Sequence, residues 1–255
     1  MRVVTDTLVI AERSVRRILR APDLVAAFTI QPIMFVLLFR YVFGGAIETP
    51  QGDYADFLMP GIVCQTIAFG GFVTALSLTD DLNKGLIDRF RSLPMSRSAV
   101  VSGRVLADIL TNVVVLFLLV VTGLIVGFTL ETTVLDFLAG ALLILLFGYA
   151  FSWIFATLGM LVSSPEAANS LGFITVFPLT FVSSVFVPIE TFPAGLEAFA
   201  EVNPFTLAAD ALRHFWLGTP AGDNVWATIA WSVGLLAVFA PLATLQYKRV
   251  ASTRA

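Results

Sequence analysis

The sequence predicts an all-α integral membrane protein with six transmembrane helices, an N-terminal amphipathic helix and two short re-entrant helices on the outer side. Three observations predict it. Of the 255 residues, 58% are hydrophobic and 13% charged, and the mean hydropathy is +0.91; soluble domains carry about 25% charge. The apolar residues gather in six long runs. The basic residues lie almost wholly in the connections that would share one side of a membrane.

The six runs are residues 24–47, 57–79, 105–130, 137–162, 168–188 and 225–247. Each offers about the 20 residues that a helix needs to cross ~30 Å of hydrocarbon. A chain this apolar cannot cover its surface with polar groups, so lipid is its solvent, and backbone groups without water partners form helices there. A barrel is unsuited, because its strands would alternate polar and apolar residues. The first run holds Pro32, with Arg40 near its far end, and the third has Asp108 near its start. The other four carry no charge.

Orientation follows from lysine and arginine. Arg2, Arg13, Arg16, Arg17 and Arg20 precede the first run. Lys84, Arg89, Arg91, Arg97 and Arg104 follow the second, and Lys248, Arg249 and Arg254 follow the last. These are thirteen of the fifteen basic residues. Of the other two, Arg213 lies in the opposite loops and Arg40 near their boundary. Both termini and the loop 80–104 are therefore expected in the cytoplasm. The outer loops are acidic, with Glu48, Asp53, Asp56, Glu131, Asp136, Glu190, Glu197, Glu201, Asp210 and Asp223.

Several classes drop out. A net charge of −3 points to no nucleic acid partner. Cys64 is the lone cysteine and has no internal disulfide partner, and His214 is the lone histidine, which excludes a multi-histidine metal site in the chain. The polar N-terminal stretch, with Glu12 and the arginines from Arg13 to Arg20, lacks the short apolar core of a cleaved signal peptide. No charge falls at a bilayer midplane, which argues against proton- or sodium-coupled transport. There is no HExxH motif and no credible Ser/His pair for an intramembrane hydrolase. His214 is expected to be a satisfied interfacial residue.

Between the spans lie three segments of a different kind. In residues 1–22, Val4, Leu8, Ala11, Val15 and Ile18 recur at helical spacing among arginines, so a helix would lie in the headgroup layer and either anchor the chain or contact a partner. In the loop 80–104, Leu86, Ile87, Phe90 and Leu93 share one helical face while Asp88, Arg89 and Arg91 point elsewhere, and Pro94 ends the helix. Such a helix either docks in a groove on a partner or rests on the membrane surface. Residues 189–224 are too apolar for a free loop and too interrupted by proline for a span. Asn203-Pro204 reads as a cap and first-turn proline for a helix over 205–217. The segment is expected to dip back into the outer leaflet as two short helices lodged in protein, with Asp210 and Arg213 placed to pair.

Polarity inside the spans is mild. Gln65, Thr66 and Thr74 in the second and Thr175, Thr180, Ser183 and Ser184 in the fifth lie beside Phe173, Phe177, Phe181 and Phe186. These residues either line a path for an amphiphilic, largely apolar substrate or serve helix packing. Arg104 and Asp108 are spaced to pair. Arg40 has the reach to snorkel outward. Gly123-xxx-Gly127 and Gly70-Gly71 are candidates for close helix approach.

The order of short motifs resembles a known family. Tyr41-Val42-Phe43-Gly44-Gly45 closes the first span and Met59-Pro60-Gly61-Ile62 opens the second. The loop carries Asp88-Arg89-Phe90-Arg91-Ser92-Leu93-Pro94-Met95-Ser96-Arg97, followed by Gly103-Arg104-Val105-Leu106-Ala107-Asp108. Asn203-Pro204-Phe205 and Asp210-Ala211-Leu212-Arg213 precede the last span. Over nearly its whole length the chain resembles ABC-2 type exporter permeases, most closely the daunorubicin-resistance permease group.

The resemblance implies a type V exporter architecture in one transmembrane domain, in a bacterial cell membrane. It implies that the N-terminal helix is an interface helix, and that Leu86, Ile87, Arg89, Phe90, Arg91 and Leu93 form a coupling helix for a separate P-loop ATPase, present in two copies. It implies a second permease, identical or related. ATP and Mg would be held by the partner subunit, which agrees with the absence of a GxxxxGK[ST] loop in the sequence. It further implies an outer gate that includes Pro204, Phe205, Asp210 and Arg213. Gln65, Thr66, Thr74, Thr175, Phe177, Phe181 and Ser184 are the candidates for the substrate pathway. Efflux of a hydrophobic drug, natural product or lipid-like molecule is the expectation. A standalone carrier or channel, and a membrane scaffold, are the readings that compete with it.

Overall fold

A computed structural model describes residues 2–19, 22–49, 52–84 and 97–253. Among them are ten α-helices and no strand. They are α1 (Arg2–Leu19), α2 (Pro22–Leu38), α3 (Tyr54–Phe69), α4 (Phe72–Asn83), α5 (Arg97–Ile125), α6 (Val134–Leu161), α7 (Pro165–Phe181), α8 (Ala194–Val202), α9 (Pro204–Leu217) and α10 (Asn224–Thr253). A π-turn over Phe39–Phe43 extends α2. Four stretches are long and apolar enough to cross a bilayer: Tyr54–Asn83, Ala99–Ile125, Val134–Leu161 and Asn224–Tyr247. The apolar stretch Ile30–Phe43 and the 17-residue α7 are shorter.

Helix α6 is the hub. It packs on α3, α4, α5, α7, α9 and α10. Phe147, Ala150, Phe155 and Ala156 are wholly enclosed. Its other side leaves Leu135, Leu138 and Leu142 exposed, and a helix that meets protein on one side and lipid on the other needs no polar face.

Helices α3 and α4 form one span with a break at Gly70-Gly71. A Cβ on Gly70 would stand 2.0 Å from Asn112 Oδ1, and one on Gly71 would stand 2.5 Å from the Ser152 backbone. Both glycines are therefore at close approaches, one to α5 and one to α6. The GxxxG pair of α5 divides differently. Gly123 faces the Met59 side chain, but α5 ends at Ile125 and Gly127 has φ +97° in the turn beyond it. That turn is closed by Phe128 N–H donating to Gly123 O at 2.9 Å.

The helix of the fifth predicted span stops at Phe181 rather than at 188. Its last carbonyls have a remote donor, because Asn203 Nδ2 donates to Leu179 O at 2.7 Å and to Val182 O at 2.6 Å. The irregular chain that follows is also satisfied by side chains, with Tyr54 Oη donating to Phe186 O at 2.8 Å. Non-helical backbone survives in a membrane protein when protein groups meet its hydrogen bonds.

Helix α1 lies along α5 and buries Ile10 and Ala11. Leu8, expected in the same apolar stripe as Ala11, is 56% exposed.

Arg40 does not reach outward alone. It forms a two-point ion pair with Asp53, in which Arg40 Nη2 donates to Oδ2 at 2.9 Å. Asp53 also caps α3, accepting from Ala55 N–H at 2.9 Å. The Ala55 amide, and then the Arg40 guanidinium, hold the Asp53 carboxyl below its ordinary value of 3.8. A carboxylate favoured in this way stabilises the fold fully above its ordinary value, and the gain is lost as pH falls through the lowered one. Asp53→Asn is therefore expected to lower the melting temperature at neutral pH. The difference from wild type should shrink as pH drops below 3.8. A difference that stayed constant in acid would refute the linkage.

Candidate functional site: an uncharged cleft and a latched hairpin

A cleft of about 200 Å³ opens between α2, the α3–α4 break and α7. Gln31, Gln65, Thr66 and Asn169 supply its polar atoms, and Phe35, Phe69, Phe72, Phe173 and Phe177 its rings. None of its lining residues is ionisable. Amides and hydroxyls among phenylalanines can orient a small number of polar atoms on a ligand, and the rings hold an apolar body by contact and stacking.

Sequence-predicted residues are only partly gathered here. Gln65, Thr66 and Phe177 lie on the wall. Phe181 is one turn beyond, stacked on Phe177 at 4.3 Å between centroids. Thr175 is on the same helix, but its hydroxyl donates to Leu171 O at 2.7 Å. Thr74 and Ser184 lie elsewhere: Thr74 donates to Asp108 Oδ1 at 2.9 Å, and Ser184, in the irregular chain after α7, bonds to the hairpin described below. Gln31 and Asn169 escaped the sequence reading. The signal was present, since Gln31 is an amide within the first apolar run and Asn169 one at the start of the fifth.

The rings continue past the cleft as a ribbon. Phe173 meets Phe177 at 6.3 Å, Phe181 meets Phe186 at 5.0 Å, and Phe186 meets Phe39 on the π-turn at 4.5 Å. Phe173, Phe177 and Phe181 recur every fourth residue of α7, which puts them on one face.

Helices α8 and α9 form a hairpin, and α9 is wedged between α3, α6 and α10. Asn203 Oδ1 accepts from Phe205 N–H at 2.9 Å and starts α9. Pro204 follows at the first helical position, where its missing N–H costs nothing. Phe205 is wholly buried, edge-on to Phe147 at 5.5 Å and Phe151 at 5.2 Å.

Arg213, 1% exposed, ties the hairpin to two other elements. Its Nε and Nη2 donate to Phe57 O at 3.1 and 2.8 Å. Nη2 also donates to Ser184 O at 2.7 Å, and Nη1 to Ser184 Oγ at 2.9 Å and Asp210 Oδ1 at 2.5 Å. The guanidinium lies 3.7 Å above the Phe57 ring. Ser184 Oγ in turn donates to Asp210 at 3.0 Å. One planar cation thus joins α9, the start of α3 and the irregular chain after α7. Gly61 has its place in the same junction, since a Cβ there would stand 2.2 Å from Val185 O. Next to the hairpin, His214 Nδ1 lies 2.5 Å from Thr219 O, so the ring has a local partner.

At the opposite end of the bundle the spacing-based pair gives way to others. Arg104 pairs with the buried Asp81 of α4, and Asp108 accepts from Thr74. The coupling candidates Leu86, Ile87, Arg89, Phe90, Arg91 and Leu93 lie outside the described residues.

Comparison with known proteins adds the lineage. The family model described as ABC-2 type transporter matches residues 5–216. The chain is 38% identical over 219 residues to the daunorubicin resistance ABC transporter permease protein DrrB1 of Streptomyces coeruleorubidus, covering 86% of this chain and 77% of that one. It is 22% identical over 252 residues to the probable doxorubicin resistance ABC transporter permease protein DrrC of Mycobacterium tuberculosis, covering 98% and 90%. It is also 22% identical over 220 residues to the putative transport permease ycf38 of Cyanophora paradoxa, covering 84% and 74%. With its membrane-length apolar helices and a family match over most of its length, the chain belongs to the ABC-2 type transporters, as a multi-pass permease homologous to drug-resistance permeases.

Proposed function

We propose that this permease is the transmembrane subunit of an ATP-driven exporter, moving hydrophobic or amphiphilic compounds across a bacterial cell membrane. The observation that carries the reading is the uncharged cleft of amides, a hydroxyl and phenylalanines beside the α3–α4 break. Such a lining favours a largely apolar ligand with few polar atoms. It offers no charged group of its own to bind a coupling ion.

In this reading the chain crosses six times, through α2 with its π-turn, α3–α4, α5, α6, α7 and α10. Its basic ends and loop face the cytoplasm. The α8–α9 hairpin then closes the outer end, with Pro204, Phe205, Asp210 and Arg213 as its gate. A second permease, identical or related, completes the pathway. ATP is hydrolysed on a separate nucleotide-binding chain, two copies of which dock on the loop that contains Leu86, Ile87, Arg89, Phe90, Arg91 and Leu93.

The test is a pull-down of the tagged permease in mild detergent, with mass spectrometry of its companions. A stoichiometric P-loop ATPase is expected. Phe90→Asp places a charge where an apolar knob is proposed to dock, so that variant should insert in the membrane and lose the ATPase. Retention of the ATPase by Phe90→Asp would refute the coupling assignment. Recovery of the permease alone, in nanodiscs as well as detergent, would favour a standalone carrier.

A further inference from the structure

The break in the second span is held by a polar ladder along one face of α5. Arg104, Asp108 and Asn112 follow one another at four-residue intervals, so they stack on that face. Each meets the α3–α4 span at a different height. Arg104 pairs with Asp81, Asp108 accepts from Thr74, and Asn112 Nδ2 donates to Ile67 O at 3.2 Å. The first two contacts lie on α4, below the break, and the third lies on α3, above it.

The uppermost rung has the most specific surroundings. In an unbroken helix Ile67 O would accept from the N–H of Gly71. Here the Gly70 N–H turns to it, at 3.2 Å, and the Asn112 amide supplies a further donor. Asn112 is 2% exposed, and its amide lies flat on Gly70 so closely that a Cβ would stand 2.0 Å from Oδ1. Phe69 and Phe72 flank the two glycines, and both rings line the cleft. The angle at the break therefore sets how far apart those two rings stand. One end of the span is fixed independently, because Phe57 O is held by Arg213.

The geometry points to Asn112 as a positioning residue for the cleft: it fixes the bend at Gly70-Gly71 and, through it, the placing of Phe69 and Phe72 against a ligand. Asn112 itself is not among the lining residues and acts only through the bend. The functional half of this inference rests on the cleft being the substrate site, and the geometric half does not.

Two measurements separate those halves. In the first, permease with Cys64→Ala and Thr66→Cys carries a trifluoroethylthio group and is observed by fluorine NMR in nanodiscs. Asn112→Ala is expected to shift or split the resonance. Gly70→Ala, which pushes its methyl into the Asn112 amide, is expected to do the same. With both changes together the displacement should fall short of the sum, since each relieves the other's crowding. The same label at Leu135→Cys, 77% exposed on α6, should not move, which separates a local change from loss of the fold. An unmoved Thr66→Cys resonance in both single variants would overturn the proposal.

In the second, the exporter reconstituted with its ATPase transports ethidium as probe. Asn112→Ala is expected to raise KM by roughly three- to tenfold, the scale of one buried hydrogen bond. Vmax should stay within about twofold, as for a change that weakens ground-state and transition-state binding alike. A fall in Vmax at unchanged KM would overturn the functional half. Shifted resonances in a protein that does not move ethidium would support the geometric half and count against the cleft as the substrate site.

Discussion

Arg213→Ala is expected to cost the permease its latched hairpin and most of its recoverable folded protein. Its acceptors are not equal. Asp210 is 30% exposed and can turn toward water when the guanidinium is gone. Ser184 O lies outside any helix and faces protein, and a buried carbonyl left unpaired costs about 1–3 kcal/mol, whereas Phe57 O sits inside α3 and loses only its extra donor. That carbonyl, with the lost packing and cation contact on Phe57, brings the expected loss to about 2–4 kcal/mol. Total stabilities are about 5–15 kcal/mol, so this is a large share. Arg213→Lys should recover little, because an ammonium on a flexible stem cannot match a planar fork that meets Phe57, Ser184 and Asp210 together. Thermal unfolding followed by size-exclusion chromatography in detergent measures both variants. An alanine variant within about 1 kcal/mol of wild type would show that the junction does not hold the hairpin.

Gly61→Ala is the second large effect, and its cause is steric. The added methyl would stand 2.2 Å from Val185 O and 2.9 Å from the Val185 carbonyl carbon. Backbone lies on both sides, so no rotamer change relieves the clash. The chain around Val185 is pinned as well, by Arg213 on Ser184 O and by Tyr54 on Phe186 O. Overpacking costs about 1–3 kcal/mol where side chains can give way, and here the cost belongs at or above that upper limit. Gly195→Ala in α8 is the matched control, since its methyl meets nothing within 4 Å. It should be neutral or gain a few tenths of a kcal/mol from helix propensity. Equal melting temperatures for the two variants would refute the close approach at Gly61.

The helices were legible because lipid leaves one signal dominant: length of apolar sequence. Their ends were less so, where the deciding partner is remote. The end of α7 depends on Asn203, 21 and 24 residues away from the carbonyls it meets. Arg104 and Asp108, four residues apart, suggested each other, but α4 lies alongside and brings Asp81 to Arg104 and Thr74 to Asp108. For the cleft, Gln65, Thr66 and Phe177 could be read as polar or aromatic intrusions in apolar spans. Ser184 looked the same in sequence. Only the crossing of α9 over the chain after α7 assigns it to Arg213 instead. A hydroxyl in a membrane helix does not announce its acceptor, so local pattern cannot separate the two roles.

The ring ribbon and the Arg213 junction close the molecule by opposite means. The junction is directional, and moving it breaks several hydrogen bonds at once. Among the described residues, α2 and its π-turn meet the chain around α7 through rings: Phe35 and Phe39 against Phe186, and Phe186 against Phe181. Aromatic pairs contribute about 0.5–1.5 kcal/mol each beyond their burial, and offset and edge-on arrangements have similar energies. Such rings can slide past one another without leaving a donor or acceptor stranded. That flank is therefore a compliant seam beside a riveted joint, and it can part by degrees while the rivet holds.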